Sequence, residues 1–185
     1  MPSYYTTGDG VQYMTQDGTY LVVGVDSINN FDLVTDRTQA DVDRWNELRS
    51  KGWVNMSGIE RIEWSAGMKG CYSHIDMNRV ESVVEVLSAR FVEEGYLTTP
   101  LTVKTDWNAF SVPTRADMVR YLGNVAVLRG LVPGYFTTPD APTIEQPFTF
   151  EQANDIEQIL IDLDEISTAL SQSWFYAGEI RSGEV

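Results

Sequence analysis

The chain contains one cysteine and one histidine, which lie three residues apart at Cys71 and His74. A thiol beside an imidazole can form a nucleophile–base pair, because the imidazole takes up the thiol proton. The neighbouring residues indicate a different role. Ser73 followed by Asp76 is typical of a capped helix start, and a histidine in the first turn meets a helix dipole that disfavours its protonated form. We therefore predict that neither residue is catalytic.

Other patterns that carry chemistry do not occur in the sequence. It has no glycine-rich phosphate loop and no Gly-x-Ser-x-Gly nucleophile elbow. A metal site built on Cys71 and His74 would need carboxylates as further ligands, and the spacing matches no known site. We predict no metal and no cofactor. With 27 acidic residues, a carboxylate pair for glycoside hydrolysis stays open as an alternative.

Composition limits the class of protein and its partners. A chain of 185 residues with 43% hydrophobic residues can bury the core of one medium domain, with or without an extension. The formal charge of -14 and the pI of about 4.3 argue against nucleic acid and anionic membranes as partners. A single cysteine excludes an intramolecular disulfide. The sequence shows no apolar run of about 18 residues and no basic leader, so we expect a soluble protein without an export signal.

One pattern opens the predicted helices. It consists of a capping Ser or Thr, an Asp three residues later, an apolar residue, any residue, an Arg and a second apolar residue. Copies begin at Thr38, Ser73 and Thr114, and a weaker copy at Thr149 lacks the Arg. The starts are 35, 41 and 35 residues apart, within the range of helical repeats. Two interpretations stay open: a true repeat, or the general form of a capped amphipathic helix with an Asp–Arg pair one turn apart.

Apolar periodicity predicts five helices, at about residues 39–51, 58–64, 74–94, 115–129 and 150–173. The third helix has polar residues opposite its apolar stripe, among them Asn78, Arg79 and Glu81. The stripe itself consists of Met77, Val80, Val83, Val84, Leu87 and Phe91.

The last predicted helix combines a long apolar stripe with many acidic residues. Its stripe consists of Ala153, Ile156, Leu160, Leu163, Leu170 and either Ile159 or Ile166. Its acidic residues are Glu151, Asp155, Glu157, Asp162, Asp164 and Glu165, with no basic residue among them. We interpret them as a solvated acidic face, with a site for a cation or a basic partner as the alternative.

Both ends of the sequence carry aromatic residues. Residues 1–34 combine turn signals with β-forming residues, which predicts a β-hairpin arm that packs on the helices or on a neighbouring subunit. Residues 174–185 start with three aromatic residues, which predicts an extended tail docked on its own helices or clamped by another subunit. The contact residues we predict are Tyr4, Tyr5, Tyr20, Trp174, Phe175, Tyr176 and Ile180.

These patterns together predict a mainly α fold, a small helical bundle with an N-terminal β-hairpin arm and an extended C-terminal tail. The arm spans residues 1–34 and the helical domain residues 35–130. We predict that residues 131–148 form a linker or a strap laid over the surface, because four of the seven prolines of the chain lie there. Residues 149–185 hold the long last helix and the docking tail.

Several strings in this order resemble structural proteins of tailed phages and prophages of Gram-positive gut bacteria. They are MKGCYSHIDMNRV at residues 68–80, KTDW at 104–107, PT at 113–114, MVRYLGN at 118–124 and the closing Gly-Glu pairs. The resemblance covers residues 36–185 and leaves out the N-terminal arm. The chain departs from the pattern at Ser73, where Asn is common, and at residues 181–182, where Tyr-Ala is common.

The resemblance implies a non-enzymatic virion protein of the neck, tail or baseplate, made in the host bacterial cytoplasm. Its partners would be other virion proteins and further copies of itself, reached through the arm and the tail, with aromatic residues as anchors. Two alternatives stay open. One is a tail-associated glycan hydrolase that uses paired carboxylates, and the other is an interaction domain that acts in the host cytosol.

Overall fold

The computed structural model of the chain describes residues 5–7, 10–14, 20–23, 28–132, 137–144 and 148–179, with side chains at 28, 31–132, 137–144 and 148–170. Three short strands come first, β1 (Tyr5–Thr7), β2 (Gly10–Met14) and β3 (Tyr20–Val23). They pair antiparallel in the order β1-β2-β3. The predicted N-terminal β-hairpin arm stays a prediction, because its turns and side chains lie outside the described residues.

The mainly α prediction is confirmed. The described residues include two short 3-10 helices, Ile28–Phe31 and Trp53–Asn55. The α-helices among them are α1 (Gln39–Lys51), α2 (Gly58–Ser65), α3 (His74–Glu93), α4 (Arg115–Gly130) and α5 (Phe150–Glu179). None of the helices within these residues is both long and apolar enough to cross a membrane.

Helix α5 departs from the sequence prediction at its C-terminal end. The prediction ends this helix near residue 173, but the helical backbone continues through Glu179. Residues 174–179 are therefore not part of an extended tail. The physical reason is that no proline interrupts this stretch, and continuing the helix keeps its backbone hydrogen bonds satisfied.

The first half of the recurring pattern is confirmed as a helix cap. The side chains of Thr38, Ser57, Ser73 and Thr114 each accept a backbone N–H at the start of α1 to α4. In all four, the acidic residue three positions later accepts the N–H of the capping residue in return. Thr149 and Gln152 make the same exchange at the start of α5. Such caps satisfy N–H groups that the helix itself cannot pair.

The hydrophobic core lies between α3, α4 and α5. The whole predicted stripe of α3 is buried, and so are Tyr121, Leu122, Val125 and Leu128 of α4. Helix α5 lies against both neighbours and buries Ala153, Ile156, Ile159, Leu160, Leu163 and Ile166. Both isoleucines left open by the periodicity are therefore inside.

The three core helices run in the same direction. Arg79 near the start of α3 binds Glu157 near the start of α5, and Glu94 at the end of α3 accepts a hydrogen bond from Ser167 near the other end of α5. Tyr72, just before α3, shares a hydrogen bond between hydroxyl groups with Tyr121 in the first half of α4. The N-terminal parts of the three helices therefore lie together, and the C-terminal end of α3 lies beside the second half of α5.

Parallel helices need long return connections, and one of these runs back along α3. The N–H of Leu101 donates to Ser88, that of Lys104 to Glu81, and that of Trp107 to Asn78. The connection therefore runs back along α3 from the C-terminal half of this helix to its second turn.

Helices α1 and α2 form a separate hairpin at the N-terminal end of α3. Leu48 and Met56 are buried within it, outside the main core cluster. Gly70 allows the first turn of α1 to pack closely against this segment. A Cβ at this position would lie 2.0 Å from the Asp41 carbonyl oxygen. Lys69 and Asp36 form an ion pair at the same junction, 2.6 Å apart.

Candidate interaction site

Cys71 and His74 lie in an open groove of about 220 Å³ beside the rings of Trp45 and Trp64, which stack with centroids 6.4 Å apart. Burial of Cys71 raises the pKa of its thiol, and the charge of Asp76 raises it further. The protonated thiol is therefore favoured at neutral pH, and thiolate chemistry is disfavoured. Within the described residues, no group of three or more His, Cys, Asp or Glu side chains could hold a metal ion. The prediction that the pair is not catalytic stays a prediction.

Glu157 is the centre of a buried ionic network. Its side chain is fully buried and accepts hydrogen bonds from Arg37 at 2.6 Å and Arg79 at 2.9 Å. The backbone N–H of Val34 donates to the same carboxylate at 2.6 Å. Asp76 binds both arginines in turn, at 2.9 and 2.6 Å. The network joins the segment before α1 to α3 and α5.

A second buried carboxylate joins α3 to α4. Glu81 accepts two hydrogen bonds from Arg120, the one to Oε1 at 2.6 Å. The indole N–H of Trp107 and the backbone N–H of Lys104 donate to the same group, at 3.2 and 2.9 Å. The side chain of Glu81 is 2% exposed, so the expected position on a polar face is wrong for this residue. Its burial is possible because the carboxylate has four donors.

The arginine of the recurring pattern forms ion pairs between helices. Its arginine binds a glutamate on another helix in each full copy: Arg44 binds Glu63, Arg79 binds Glu157, and Arg120 binds Glu81. Across the residues the structure describes, only the copy at Ser73 also has the ion pair between its own Asp and Arg. The Asp–Arg pair one turn apart is therefore not what the copies share.

The prediction of a solvated acidic face on α5 is wrong for part of its length. Glu157 is buried, and Asp164 binds Arg90 at 2.7 Å. Asp162 accepts hydrogen bonds from Thr138 and Gln158. The basic partners of these carboxylates come from other elements, so the sequence of the helix itself could not show them.

The contact residues predicted from the sequence lie where the structure does not describe side chains. Tyr4 and Ile180 fall outside the described residues. Tyr5 and Tyr20 lie in β1 and β3, and residues 174–176 in the last turns of α5, with only their backbone described. Their role as contacts stays a prediction.

The structure shows an exposed apolar surface that the sequence analysis missed. Four large side chains in the 3-10 helix at Trp53–Asn55 and in α2 are open to solvent: Trp53 (50% exposed), Val54 (84%), Ile59 (80%) and Ile62 (72%). We call these four residues the hairpin apolar surface. The available signal was the pair of isoleucines at i and i+3 in a helix of eight residues, but periodicity alone did not show that this stripe faces outward.

Arg61 lies between the two isoleucines in sequence. Its guanidinium carbon is 5.5 Å from the centre of the Trp53 ring, and the group donates to the carbonyls of Trp53 and Val54. Among the side chains that the structure describes, no carboxylate is within ion-pair distance of Arg61. The hairpin apolar surface therefore has a cation at its border without a carboxylate partner in this part of the chain.

The region of the hairpin is balanced in charge, whereas the chain as a whole is acidic. Residues 36–70 hold six of the 13 basic residues and only six of the 27 acidic ones, so the rest of the chain has the whole net charge of -14. Several of these charges pair within the hairpin, such as Lys51 with Glu60 at 2.7 Å. The Lys51 ammonium, together with the Ser57 backbone N–H, lowers the pKa of Glu60 to about 2.

A smaller apolar region lies near the start of α4. Phe110 and Val112 are 95% and 84% exposed in the connection that precedes it. The connection continues at Pro113 into an open groove of about 260 Å³, whose apolar wall includes Met118 and Phe148. This region is the second place in the described part of the chain where large apolar groups face solvent together.

No known protein family, curated protein or solved structure matches this chain. The fold and the site therefore define it only as a mainly helical protein with an exposed apolar surface at one end.

Proposed function

We propose that the chain is a non-enzymatic structural protein of a tailed-phage virion, located in the neck, tail or baseplate. The observation that carries the proposal is the hairpin apolar surface, four large apolar side chains on a short segment of low net charge. Soluble monomers rarely expose such groups together, and surfaces that do so usually bind another macromolecule. The resemblance to phage structural proteins supplies the kind of assembly.

The residues that carry the resemblance support this proposal through the contacts they make. Arg79, which Asp76 also binds, holds α3 against α5; Arg120 holds α4 against α3, and Trp107 anchors the return connection. These residues serve to fix a rigid helical body. We propose that neighbouring subunits bind at the ends of the molecule, through the β arm and the C-terminal segment.

Mass spectrometry of gradient-purified particles from the host that carries the gene tests the proposal. Peptide abundance is scaled to the major capsid protein. We expect a fixed ratio that corresponds to a small multiple of three, five or six copies per particle. A chain that is abundant in the soluble lysate but absent from particles would contradict the proposal.

A matched pair of variants tests the part played by the surface. Ile59→Glu/Ile62→Glu places two charges on the hairpin apolar surface, and we expect at least a tenfold loss of incorporation into particles. Val119→Glu changes a side chain that is 50% exposed on α4 and should incorporate normally. Circular dichroism shows whether both variants keep their helices, which we expect because the substituted side chains are exposed.

A further inference from the structure

The hairpin apolar surface and the end of α5 lie at opposite ends of the molecule. The groove beside Trp45 and Trp64 is also lined by residues just before and in the first turn of α3, so the hairpin sits at the N-terminal end of that helix. These residues are Cys71, Ser73, His74 and Ile75. Asn154, in the second turn of α5, accepts the N–H of Arg37 at the same end. Helix α5 then runs away from the hairpin, parallel to α3.

Helix α5 continues beyond both of its neighbours. Ser167 is level with Glu94, where α3 has ended. Arg129 near the end of α4 donates to the carbonyl of Thr138, whose hydroxyl donates to Asp162, so α4 ends no farther along. Twelve residues of α5 follow Ser167, which corresponds to ~18 Å of helix.

The three aromatic residues at 174–176 lie in this projecting part. From Asn154 to Tyr176 the helix advances 22 residues, or ~33 Å. Because the backbone is helical throughout, the aromatic residues cannot turn back to the hairpin of the same chain. Any contact between these two features joins different copies.

We propose that the last turns of α5 in one copy bind the hairpin apolar surface of the next copy, head to tail. The inference rests on the proposed function, since it names the surface that receives the C-terminal segment. Charge favours this pairing over a symmetric one. Two hairpin surfaces packed face to face would bring Arg61 close to Arg61, whereas the end of α5 supplies Glu179 as an opposite charge.

A head-to-tail contact has a consequence for the assembly. A pair joined by one such contact keeps one free hairpin apolar surface and one free end of α5, so copies continue to add until the rotation closes a ring, or without limit if it does not close. The contact therefore predicts a ring, a helical tube, or a dimer in which two antiparallel copies are joined by two such contacts.

Disulfide cross-linking of the purified full chain tests the arrangement. In a Cys71→Ser background, Ile62→Cys is made in one preparation. Each of Trp174→Cys, Phe175→Cys, Tyr176→Cys and Ala177→Cys is made in another. The four positions cover a full helical turn, so at least one should come within the Cα distance of about 4.4–6.8 Å that a disulfide requires. The control replaces Ile62→Cys by Ala89→Cys, an exposed position on α3.

We expect a mixed disulfide between Ile62→Cys and one tail variant, at least tenfold more abundant than with Ala89→Cys. A dominant Ile62→Cys homodimer would overturn the proposal in favour of face-to-face packing, and the lack of any mixed product would overturn it outright. Failure of the inference differs from failure of the proposed function, which is judged by the presence of the chain in particles. A chain found in particles without the mixed disulfide would refute only the head-to-tail contact.

Discussion

Two fully buried carboxylates, Glu157 and Glu81, decide how the described helices are held. Each one receives an arginine from another element and additional N–H donors. Removing a charge from water is costly, so a buried ion pair adds little net stability over an apolar pair. Removing one partner, however, leaves the other charge buried and unpaired. A single substitution at either carboxylate should therefore lower the free energy of unfolding strongly.

Substitution of Glu157 should be strongly destabilising. In Glu157→Ala, Arg37 and Arg79 lose their shared carboxylate and keep Asp76 as their one carboxylate partner among the described residues, so we expect the free energy of unfolding to fall by about 3 to 5 kcal/mol. Urea denaturation measures this change. Glu165→Ala removes an exposed acid from the same helix and should stay within about 0.5 kcal/mol of the unmodified chain. Equal effects of the two substitutions would show that the network does not hold the fold.

Stability should fall in acid partly because of Asp76. Burial raises the pKa of this carboxyl, but the Ser73 backbone N–H and the charges of Arg79 and Arg37 outweigh it, so the pKa lies below its usual 3.8. A lowered pKa in the folded state contributes stability that is complete above the unfolded-state value and is lost as the pH falls through the folded-state value.

The test compares the unfolding free energy of the unmodified chain and of Asp76→Asn between pH 6 and pH 3. We expect the difference between the two to be largest near pH 6 and to shrink below about pH 4. Parallel pH curves would mean that Asp76 titrates alike in the folded and unfolded states.

At the residue scale, sequence could predict the caps but not the ion pairs. A capping residue and its partner lie three residues apart, so Ser73 with Asp76 is visible in any window of the sequence. Glu157 and Arg37 lie 120 positions apart, and nothing near Glu157 marks it as buried. Its place in the polar part of an amphipathic pattern indicated the opposite.

The elements of the fold were more predictable than their arrangement. Periodicity and caps predict all five α-helices that the structure describes, and every residue of the predicted α3 stripe is buried. Periodicity shows that a helix has an apolar face but not which helix covers it. For that reason the parallel order of α3, α4 and α5 and the outward stripe of α2 were not predicted. The predicted end of α5 is too early, because three consecutive aromatic residues favour a docked tail in the sequence, whereas in the structure their backbone continues the helix.

The junction between the hairpin and the bundle depends on a single glycine. In Gly70→Ala the new Cβ would meet the Asp41 carbonyl at 2.0 Å, and a backbone group in a helix start cannot yield without moving α1. We expect lower stability and faster amide exchange in α1 than in α3. Gly123→Ala, where nothing lies within 4 Å of the new Cβ in the middle of α4, should instead stabilise the chain by about 0.5 to 1 kcal/mol. Similar effects at both glycines would refute the close approach.

At the scale of the whole molecule, charge sets the conditions for assembly. Copies with a net charge of -14 repel each other, and the balanced hairpin only reduces this repulsion locally. Raising the salt concentration from about 0.1 to 1 M shortens the Debye length from about 10 to 3 Å. We therefore expect self-association of the full chain, measured by sedimentation, to strengthen several-fold with salt.

The same titration with Ile59→Glu/Ile62→Glu is the control, because a chain without the hairpin apolar surface should stay monomeric at every salt concentration. Self-association that weakens as salt rises would show that opposite charges, and not apolar contacts, dominate the interface between copies.

The central position of α5 also governs when the protein can fold during synthesis. Among the described elements α5 leaves the ribosome last, and until then Arg37 and Arg79 lack Glu157 while the stripes of α3 and α4 lack their cover. The packed core of α3, α4 and α5 therefore forms in one step after α5 has been made, and not as each helix is made. The residues that follow Ser167, which include the segment proposed to bind the next copy, are translated later still. A nascent chain thus cannot join a neighbour through that segment before the residues of its own core have been made.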